Sequence, residues 1–225
     1  MNSNQLIERK ARLAKLDRAL KKLFPQAKIE LNFSTPWELL VAVQLSAQCT
    51  DKRVNLITAT LFAKYPTLAD YVRAGKTAKG ITTFENDIRS SGFFRNKAKN
   101  ILAAAKMIAE KHNENVPRTL AELIRIPGVG RKTATVVLAA AYGRVEGITV
   151  DTHVIRFVRR FDLSDYKDPI RIERDLMQLL PRREWATFVH RVIFYGRYLA
   201  PARPYDTAND PLVAIYPPAG TRFRA

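Results

Sequence analysis

The sequence is poor in the residues that bind metals or form covalent cross-links. Cys49 is its single cysteine, so neither an intrachain disulfide nor a cluster of thiolate ligands can form. The three histidines, His112, His153 and His190, lack the close spacing of a zinc site. We therefore expect no bound metal.

Long apolar runs are also missing. Residues 1–10 are polar and charged and contain no apolar core of a signal peptide. No run approaches the ~18 apolar residues that a membrane-spanning helix needs. The sequence therefore predicts a soluble cytoplasmic protein that does not associate with a membrane.

Patterns typical of β-strands are almost absent, because no alternating run of Val, Ile and Tyr lies between hairpin turns. Amphipathic or apolar segments of helical length alternate instead with short polar, proline or glycine breaks. This organisation predicts an all-α fold.

The charge is strongly one-sided, with 38 Lys and Arg against 21 Asp and Glu and a formal net charge of +17. A surplus of this size lies mostly on the surface, and the first expectation is a polyanionic partner such as nucleic acid. Solubility alone is one alternative. An anionic membrane surface is another, but the chain has no amphipathic segment suited to it.

The most informative segment runs from Thr119 to Tyr142. It predicts a short amphipathic helix over 119–125, a Pro-Gly-Val-Gly turn at 127–130 and then a second, apolar helix. Gly128 and Gly130 can adopt the positive φ values of a tight turn and let backbone amides approach an anion closely. Together with the helix dipole, these amides predict a phosphate-binding site.

Lys132 and Asp151 are the candidate catalytic residues. Lys132 follows Arg131 in the first turn of the second helix, where the positive helix end and the guanidinium favour the neutral amine needed for nucleophilic attack. Phosphate contact is the plainer role, and the one we expect for Arg131. Asp151 is a candidate N-cap of a helix over 152–160, and its carboxylate can also stabilise developing positive charge. If it lies close to Lys132, it favours the charged amine instead.

Four motifs, in order, resemble those of the endonuclease III family of helix-hairpin-helix DNA glycosylases. They are LNFSTPWELLVAVQLSAQCTD (31–51), GFFRNKAKNI (92–101), IPGVGRKTA (126–134) and VDTHVIRFVRR (150–160). The resemblance covers about residues 32–198. It implies an enzyme that removes oxidised bases from double-stranded DNA, with pyrimidines as the expected substrates, and that cleaves the strand as an AP lyase.

The resemblance also assigns roles to residues. Lys132 is implied to be the Schiff-base nucleophile and Asp151 the second catalytic residue. Gln48 is implied to fill the gap left by the extruded nucleotide, and Phe93 stands where the family has a leucine wedge. Packing in the core is the alternative for Phe93 and its neighbour Phe94, although Gly92 and the polar residues at 95–96 favour an exposed loop. The other DNA contacts implied are Gly128, Gly130, Arg131 and His153.

The sequence departs from the family pattern in three places. Family members carry the cysteines of a four-iron four-sulfur cluster just after the HGRYT motif, but residues 196–217 here contain none. We therefore expect no cluster and no other cofactor. The Pro/Tyr-rich segment 201–216 is expected to be irregular, because its prolines exclude long regular structure, and to pack in place of the cluster. The spacing between the catalytic candidates is one residue longer, with an insertion in the loop 143–147, and this is closer to 8-oxoguanine glycosylases. Phe93 is larger than leucine and can alter the preference for the base opposite the lesion.

The expected layout is two helical lobes with DNA in the cleft between them. One lobe of six helices spans 30–143 and contains the hairpin, and the other joins 1–29 to 144–225. We expect a monomer that binds damaged duplex DNA. Three alternatives stay open: the same fold acting on 8-oxoguanine or only on abasic sites, a monofunctional glycosylase, which typically lacks the lysine, and a non-catalytic helix-hairpin-helix protein that only binds DNA.

Overall fold

Short polar side chains define where most helices of this chain begin. In the computed structural model, which describes residues 2–222, their oxygens accept a hydrogen bond from a backbone amide two or three residues later. These caps are Asn2, Thr35, Thr50, Thr67, Thr77, Thr119, Asp151, Asp168 and Asp210. No β-strand occurs over 2–222, which confirms the all-α fold.

The chain divides into two compact units. Unit 1 comprises Met1–Ile29 and Gly147–Ala225, and unit 2 comprises Glu30–Glu146. Within 2–222, every helix is too short or too polar to traverse a lipid bilayer.

Unit 2 contains seven helices, of which one is a single turn. They are α2 (Pro36–Leu45), α3 (Asp51–Lys64), α4 (Leu68–Ala74), α5 (Ala78–Asp87), α6 (Phe94–Lys111), α7 (Leu120–Leu123) and α8 (Arg131–Tyr142). Helix α2 is buried on nearly all sides and packs against α3, α6 and α8. It is therefore the central helix of the unit, as its almost wholly apolar sequence predicts.

Unit 1 brings the start of the chain together with its last third. It contains α1 (Ser3–Leu23), α9 (Thr152–Arg160), α10 (Pro169–Leu179), α11 (Trp185–Phe194) and α12 (Pro211–Ile215). A π-helical turn at Tyr195–Leu199 continues α11, and a 3₁₀ turn at Pro217–Thr221 follows α12. The core of the unit contains an aromatic group in which Phe157 contacts Phe161, Phe188 and Tyr195, with ring centroids 4.7 to 5.8 Å apart.

Ion pairs join α1 to the rest of unit 1. Lys21 contacts the Asp17 and Glu184 carboxylates at 2.8 and 2.9 Å, and Arg191 contacts the same two carboxylates at 3.4 Å. Asp17 is buried and the Glu184 side chain is 17% exposed. These partly desolvated charges attach the C-terminal half of α1 to α11.

Two local predictions differ from the structure. The helix expected over 119–125 is shorter, since Thr119 is its N-cap and α7 ends at Leu123. The proline-rich tail is more regular than expected, because Asp210 caps the short helix α12. In both segments a capping side chain sets the start of the helix, and few residues then continue it.

Candidate active site

The Pro-Gly-Val-Gly turn joins α7 to α8 as the sequence predicts, but its two glycines differ in conformation. Gly128 has φ +75°, in the left-handed region that favours glycine. Gly130 is extended, with φ −86° and ψ 173°, and is the N-cap of α8. The expectation of a positive φ is therefore right for Gly128 and wrong for Gly130, because a residue that opens a helix as its N-cap adopts the extended region.

Two side chains from α2 and α6 hold this turn closely. Gln44 Nε2 donates a hydrogen bond to the Pro127 carbonyl at 3.4 Å. A Cβ atom on Gly128 would lie 2.8 Å from Gln44 Oε1 and 2.8 Å from Asn100 Cβ. Both distances are shorter than ordinary contacts, so glycine at 128 is required by packing as well as by φ.

The first turn of α8 faces open space. Gly130 offers no capping side chain, and a Cβ atom built on it would meet no atom within 4 Å. Glycine at 130 is thus required neither by φ nor by neighbouring protein atoms. The amides of a helix start carry partial positive charge and lack partners within the helix, so this end of α8 can receive an anion.

Lys132 is the second residue of α8 and its side chain is exposed. Arg131, directly before it, is exposed as well. Both basic side chains therefore lie beside the uncapped amides of the turn. Lys132 is in unit 2, whereas Asp151 is in unit 1.

Asp151 is the N-cap of α9, as the sequence predicts. Its Oδ1 accepts a hydrogen bond from the Val154 amide at 2.9 Å, and the side chain is half-buried. The cap uses one of the two carboxylate oxygens. Burial and Arg160 lower the pKa of the nearby Arg156, and the negative charge of Asp151 opposes that shift.

His153, in the first turn of α9, lies against the π-helical turn. A Cβ atom on Gly196 would come within 2.4 Å of His153 Nδ1 and 2.7 Å of an Arg156 guanidinium nitrogen. Arg156 donates hydrogen bonds to the carbonyls of Gly196 and Ala200 at 3.2 and 3.0 Å. Gly196 therefore permits the close contact between α9 and the Tyr195–Leu199 turn.

Gln48 and Phe93, the two residues predicted to enter the DNA helix, share an uncommon backbone conformation. Gln48 has φ +54° in the turn after α2, and Phe93 has φ +47° as the N-cap of α6. Both side chains are exposed, Phe93 to 69%. Phe93 is therefore not a core residue. Such conformations are costly for residues other than glycine and persist where the surroundings impose them.

The loop expected around Phe93 is shorter than the sequence suggests. Residues 95–96 already belong to α6, which begins at Phe94. Phe94 is half-buried, with the guanidinium groups of Arg89 and Arg95 at 5.7 and 5.3 Å from its ring centroid. Only Gly92 and Phe93 separate α6 from the preceding 3₁₀ turn, Arg89–Ser91.

The residues that support these loops are not among those predicted from the sequence. Gln44 could have been noticed as a polar residue inside the apolar stretch of α2. Lys97, whose buried ammonium group bonds the carbonyls that precede both loops, does not stand out in the sequence, because several lysines lie near it.

The chain does not offer the ligands of an iron–sulfur cluster. Such clusters are held by cysteine thiolates, usually four. The single cysteine, Cys49, lies in unit 2 between α2 and α3, far along the chain from the segment 196–217. Across residues 2–222, no group of three or more His, Cys, Asp or Glu side chains is arranged to hold a metal ion.

In that segment the structure contains a buried hydrogen-bond network around Asp210. Tyr195 donates to Asp210 Oδ2 at 2.6 Å, and the Tyr205 hydroxyl donates to the same oxygen. Asp210 Oδ1 accepts from the Leu212 amide at 2.9 Å, and Arg160 approaches the carboxylate at 3.8 Å. Burial, and then Asp210, raise the pKa of Tyr195, so its hydroxyl stays protonated and can donate.

Two helices joined by a glycine turn within an all-α fold define a helix-hairpin-helix protein. Residues 41–182 match the family model for HhH-GPD superfamily base excision DNA repair proteins. The chain belongs to this superfamily.

Relatives and solved structures agree with this assignment. The chain is 47% identical over 199 residues to endonuclease III of Synechocystis sp., covering 88% of this chain and 89% of the relative. It is similar to the solved structure of a non-covalent endonuclease III–DNA complex, with a TM-score of 0.87 and 41% identity over 96% of this chain and 99% of that one. A trapped covalent endonuclease III–DNA intermediate matches with the same TM-score and coverage at 42% identity.

Proposed function

We propose that this protein is a DNA glycosylase with AP lyase activity, which releases oxidised pyrimidines from duplex DNA and then cleaves the strand by β-elimination. The observation that carries the proposal is the exposed Lys132 beside the uncapped amides of a glycine turn. The 47% identity to an endonuclease III and the likeness to a trapped covalent DNA intermediate support it.

The turn and the first turn of α8 bind a phosphate of the DNA backbone. The amides after Gly130 donate to its oxygens, and Arg131 contributes a charge. Gly130 lacks a side chain that would keep the phosphate away, which explains glycine at a position where the protein itself does not need one. These contacts do not depend on base sequence, and with a net charge of +17 we expect affinity to fall steeply as salt rises.

Lys132 acts as the nucleophile in its neutral form. Its amine forms a bond to C1′ of the extruded nucleotide, and the glycosidic bond breaks, so the base leaves with the bonding electrons and gains a proton. Opening of the sugar ring gives an iminium ion. The iminium acidifies the C2′ proton, and loss of that proton expels the 3′ phosphate.

Asp151 stabilises positive charge on the sugar and accepts protons during the reaction. The N-cap bond supports this role, because it engages Oδ1 and restrains the orientation of the carboxylate. We also propose that Gln48 and Phe93 occupy the stack vacated by the nucleotide, since both side chains are exposed and both residues have a left-handed backbone conformation. We propose that His153 contacts the DNA backbone near Asp151.

We propose that this chemistry proceeds without an iron–sulfur cluster or any other cofactor. Amine catalysis needs no metal. The buried Asp210 network supports this view by giving the segment 196–217 its own structural anchor. Because one chain supplies every proposed contact, we expect a monomer.

Reductive trapping tests the proposed function. Borohydride reduces an iminium to a stable amine, so it should cross-link the wild-type protein to a duplex with an oxidised pyrimidine or an abasic site. Lys132→Ala should abolish the adduct, whereas Lys106→Ala, an exposed lysine in the middle of α6, should leave it unchanged. An adduct that persists in Lys132→Ala would place the nucleophile elsewhere.

A panel of substrates separates the remaining candidates. The longer spacing between Lys132 and Asp151 favours testing 8-oxoguanine duplexes beside oxidised pyrimidine and abasic ones. Faster release of 8-oxoguanine would replace the proposed substrate class. Salt-dependent binding with no trapping on any member of the panel would indicate a DNA-binding protein without catalytic activity.

A further inference from the structure

Lys97 is a buried lysine, 7% exposed, whose ammonium group lies between two backbone carbonyls of unit 2. Its Nζ donates to the Leu45 carbonyl at 2.8 Å and to the Ser91 carbonyl at 2.8 Å. Leu45 is the last residue of α2, and Ser91 is the last residue of the 3₁₀ turn before α6. The last carbonyls of a helix receive no hydrogen bond from an amide of the same helix. A cation at this C-terminal end also interacts favourably with the helix dipole.

Each of these carbonyls is followed by one of the segments proposed to enter DNA. Three residues after Leu45 lies Gln48, with φ +54°, and two residues after Ser91 lies Phe93, with φ +47°. The backbone amide of Lys97 also donates to the Phe93 carbonyl at 3.1 Å. Lys97 thus bonds the backbone carbonyls from which both exposed segments begin.

An ammonium group is a costly choice for this position. Burial lowers the pKa of Lys97, which shows that the protein environment disfavours the charge. An apolar residue such as Met could fill a similar volume without desolvating a charge. Met, however, has no donor group and cannot bond two separate chain segments as the ammonium group does.

We propose that Lys97 is a positioning residue that holds the Gln48 and Phe93 segments at a fixed separation, so that both side chains enter the DNA helix together as the damaged nucleotide is extruded. This inference rests on the proposed function. It assigns Lys97 no contact with the substrate. Its effect is therefore confined to steps that need both segments, namely the extrusion of a nucleotide from duplex DNA.

The test compares two reactions of the same enzyme. Base release from a lesion in duplex DNA requires extrusion, whereas strand cleavage at an abasic site in single-stranded DNA does not. We expect Lys97→Met to slow single-turnover base release by about tenfold to a hundredfold, the range expected when a substrate is misplaced by about 1 Å. We expect it to change single-strand cleavage by less than about threefold, because Lys132 and its turn are left intact.

Matched variants control for charge and folding. Lys106→Met removes an exposed lysine from the same helix and should alter neither reaction. Lys97→Arg keeps the positive charge and N–H donors for both carbonyls, so it should retain more base release than Lys97→Met. A 2-aminopurine placed opposite the lesion should report the extrusion directly, and its fluorescence rise should slow in Lys97→Met. If the methionine variant does not fold, Lys97→Leu, which also lacks a donor group, takes its place in every assay.

Three results would overturn the inference. One is an equal loss in both reactions, which would mean that Lys97 only supports folding. Another is unchanged base release in a folded Lys97→Met variant, and the third is a 2-aminopurine signal that rises at the wild-type rate. Failure of the wild-type protein to release bases or to be trapped would instead refute the proposed function.

Discussion

Gln44 and Gly128 are in such close contact that the side-chain oxygen of the glutamine would lie 2.8 Å from a Cβ atom at the glycine. The contact joins the central helix α2 to the turn proposed to bind phosphate. Because Gly128 also has φ +75°, its replacement by alanine meets two separate penalties. The left-handed conformation costs an alanine about 1 to 2 kcal/mol. Overlap with Gln44 and Asn100 adds about 1 to 3 kcal/mol.

We expect Gly128→Ala to lower the free energy of unfolding by the sum of both penalties and to weaken binding to duplex DNA. Gly143→Ala is the matched control, since Gly143 ends α8 with φ +64° and a Cβ atom there would meet nothing within 4 Å. It should show the conformational penalty alone. Urea unfolding measures both variants, and equal losses would mean that the contact with Gln44 contributes nothing.

Asp151 has two proposed roles that substitution can separate. Asparagine caps a helix about as well as aspartate, but it has no charge. We expect Asp151→Asn to unfold at nearly the wild-type urea concentration and to bind lesion-containing duplex with nearly wild-type affinity, yet to release the base much more slowly. Asp151→Ala should in addition lose about 1 kcal/mol of stability with the cap. If Asp151→Asn releases the base at the wild-type rate, the negative charge plays no part in the reaction and the residue serves only as a helix cap.

Features set by neighbouring residues could be predicted from the sequence. The starts of α3 at Thr50 and of α9 at Asp151 follow from local capping, and the glycine turn follows from its composition. The supports of the turn could not be predicted, because Gln44 and Asn100 reach Gly128 only through the packing of α2 and α6. Lys97 is likewise indistinguishable by sequence from an exposed lysine of the same helix.

Glu184 should make stability depend on acidity. Lys21, and then Arg191, lower its pKa below the ordinary value of 4.5, against the opposing effect of burial. A carboxyl whose pKa is lower in the folded protein contributes stability that is fully present above pH 4.5 and is lost as pH falls through the folded pKa. We expect Glu184→Gln to lower stability by about 1 kcal/mol at pH 7 and to flatten the acid limb of the stability curve.

Thermal unfolding between about pH 7 and pH 3 measures this effect, since a lowered carboxyl pKa acts within that window. Glu110→Gln is the control, because Glu110 is exposed and its ion pair with Lys106 is long, at 3.9 Å, and exposed as well. Its acid limb should match that of the wild type. A Glu184→Gln variant with an unchanged acid limb would show that the pairs with Lys21 and Arg191 are too weakly held to affect folding.

From the hydrogen bonds around Asp210 we predict that this network holds the tail, residues 196–217, in a chain that lacks cluster ligands. Asp210 is 3% exposed and accepts hydrogen bonds from Tyr195 and Tyr205, while Arg160 lies 3.8 Å away and donates to the Ala219 carbonyl at 2.9 Å. Removing the carboxylate would take away the acceptor shared by Tyr195 and Tyr205 and the buried negative charge 3.8 Å from Arg160. Breaking a buried pair in this way costs about 3 to 5 kcal/mol.

We therefore expect Asp210→Ala to be among the most destabilising substitutions in the tail and to make the residues around it sensitive to proteases in the folded protein. Asp210→Asn should lose less, because its side-chain oxygen can still cap α12 through the Leu212 amide. Asp206→Ala is the matched control, since Asp206 is an exposed aspartate of the same segment whose loss should change stability by about 0.5 kcal/mol or less. If Asp210→Ala and Asp206→Ala unfold alike, the network does not anchor the tail, and the packing of Leu212 and its neighbours must hold it instead.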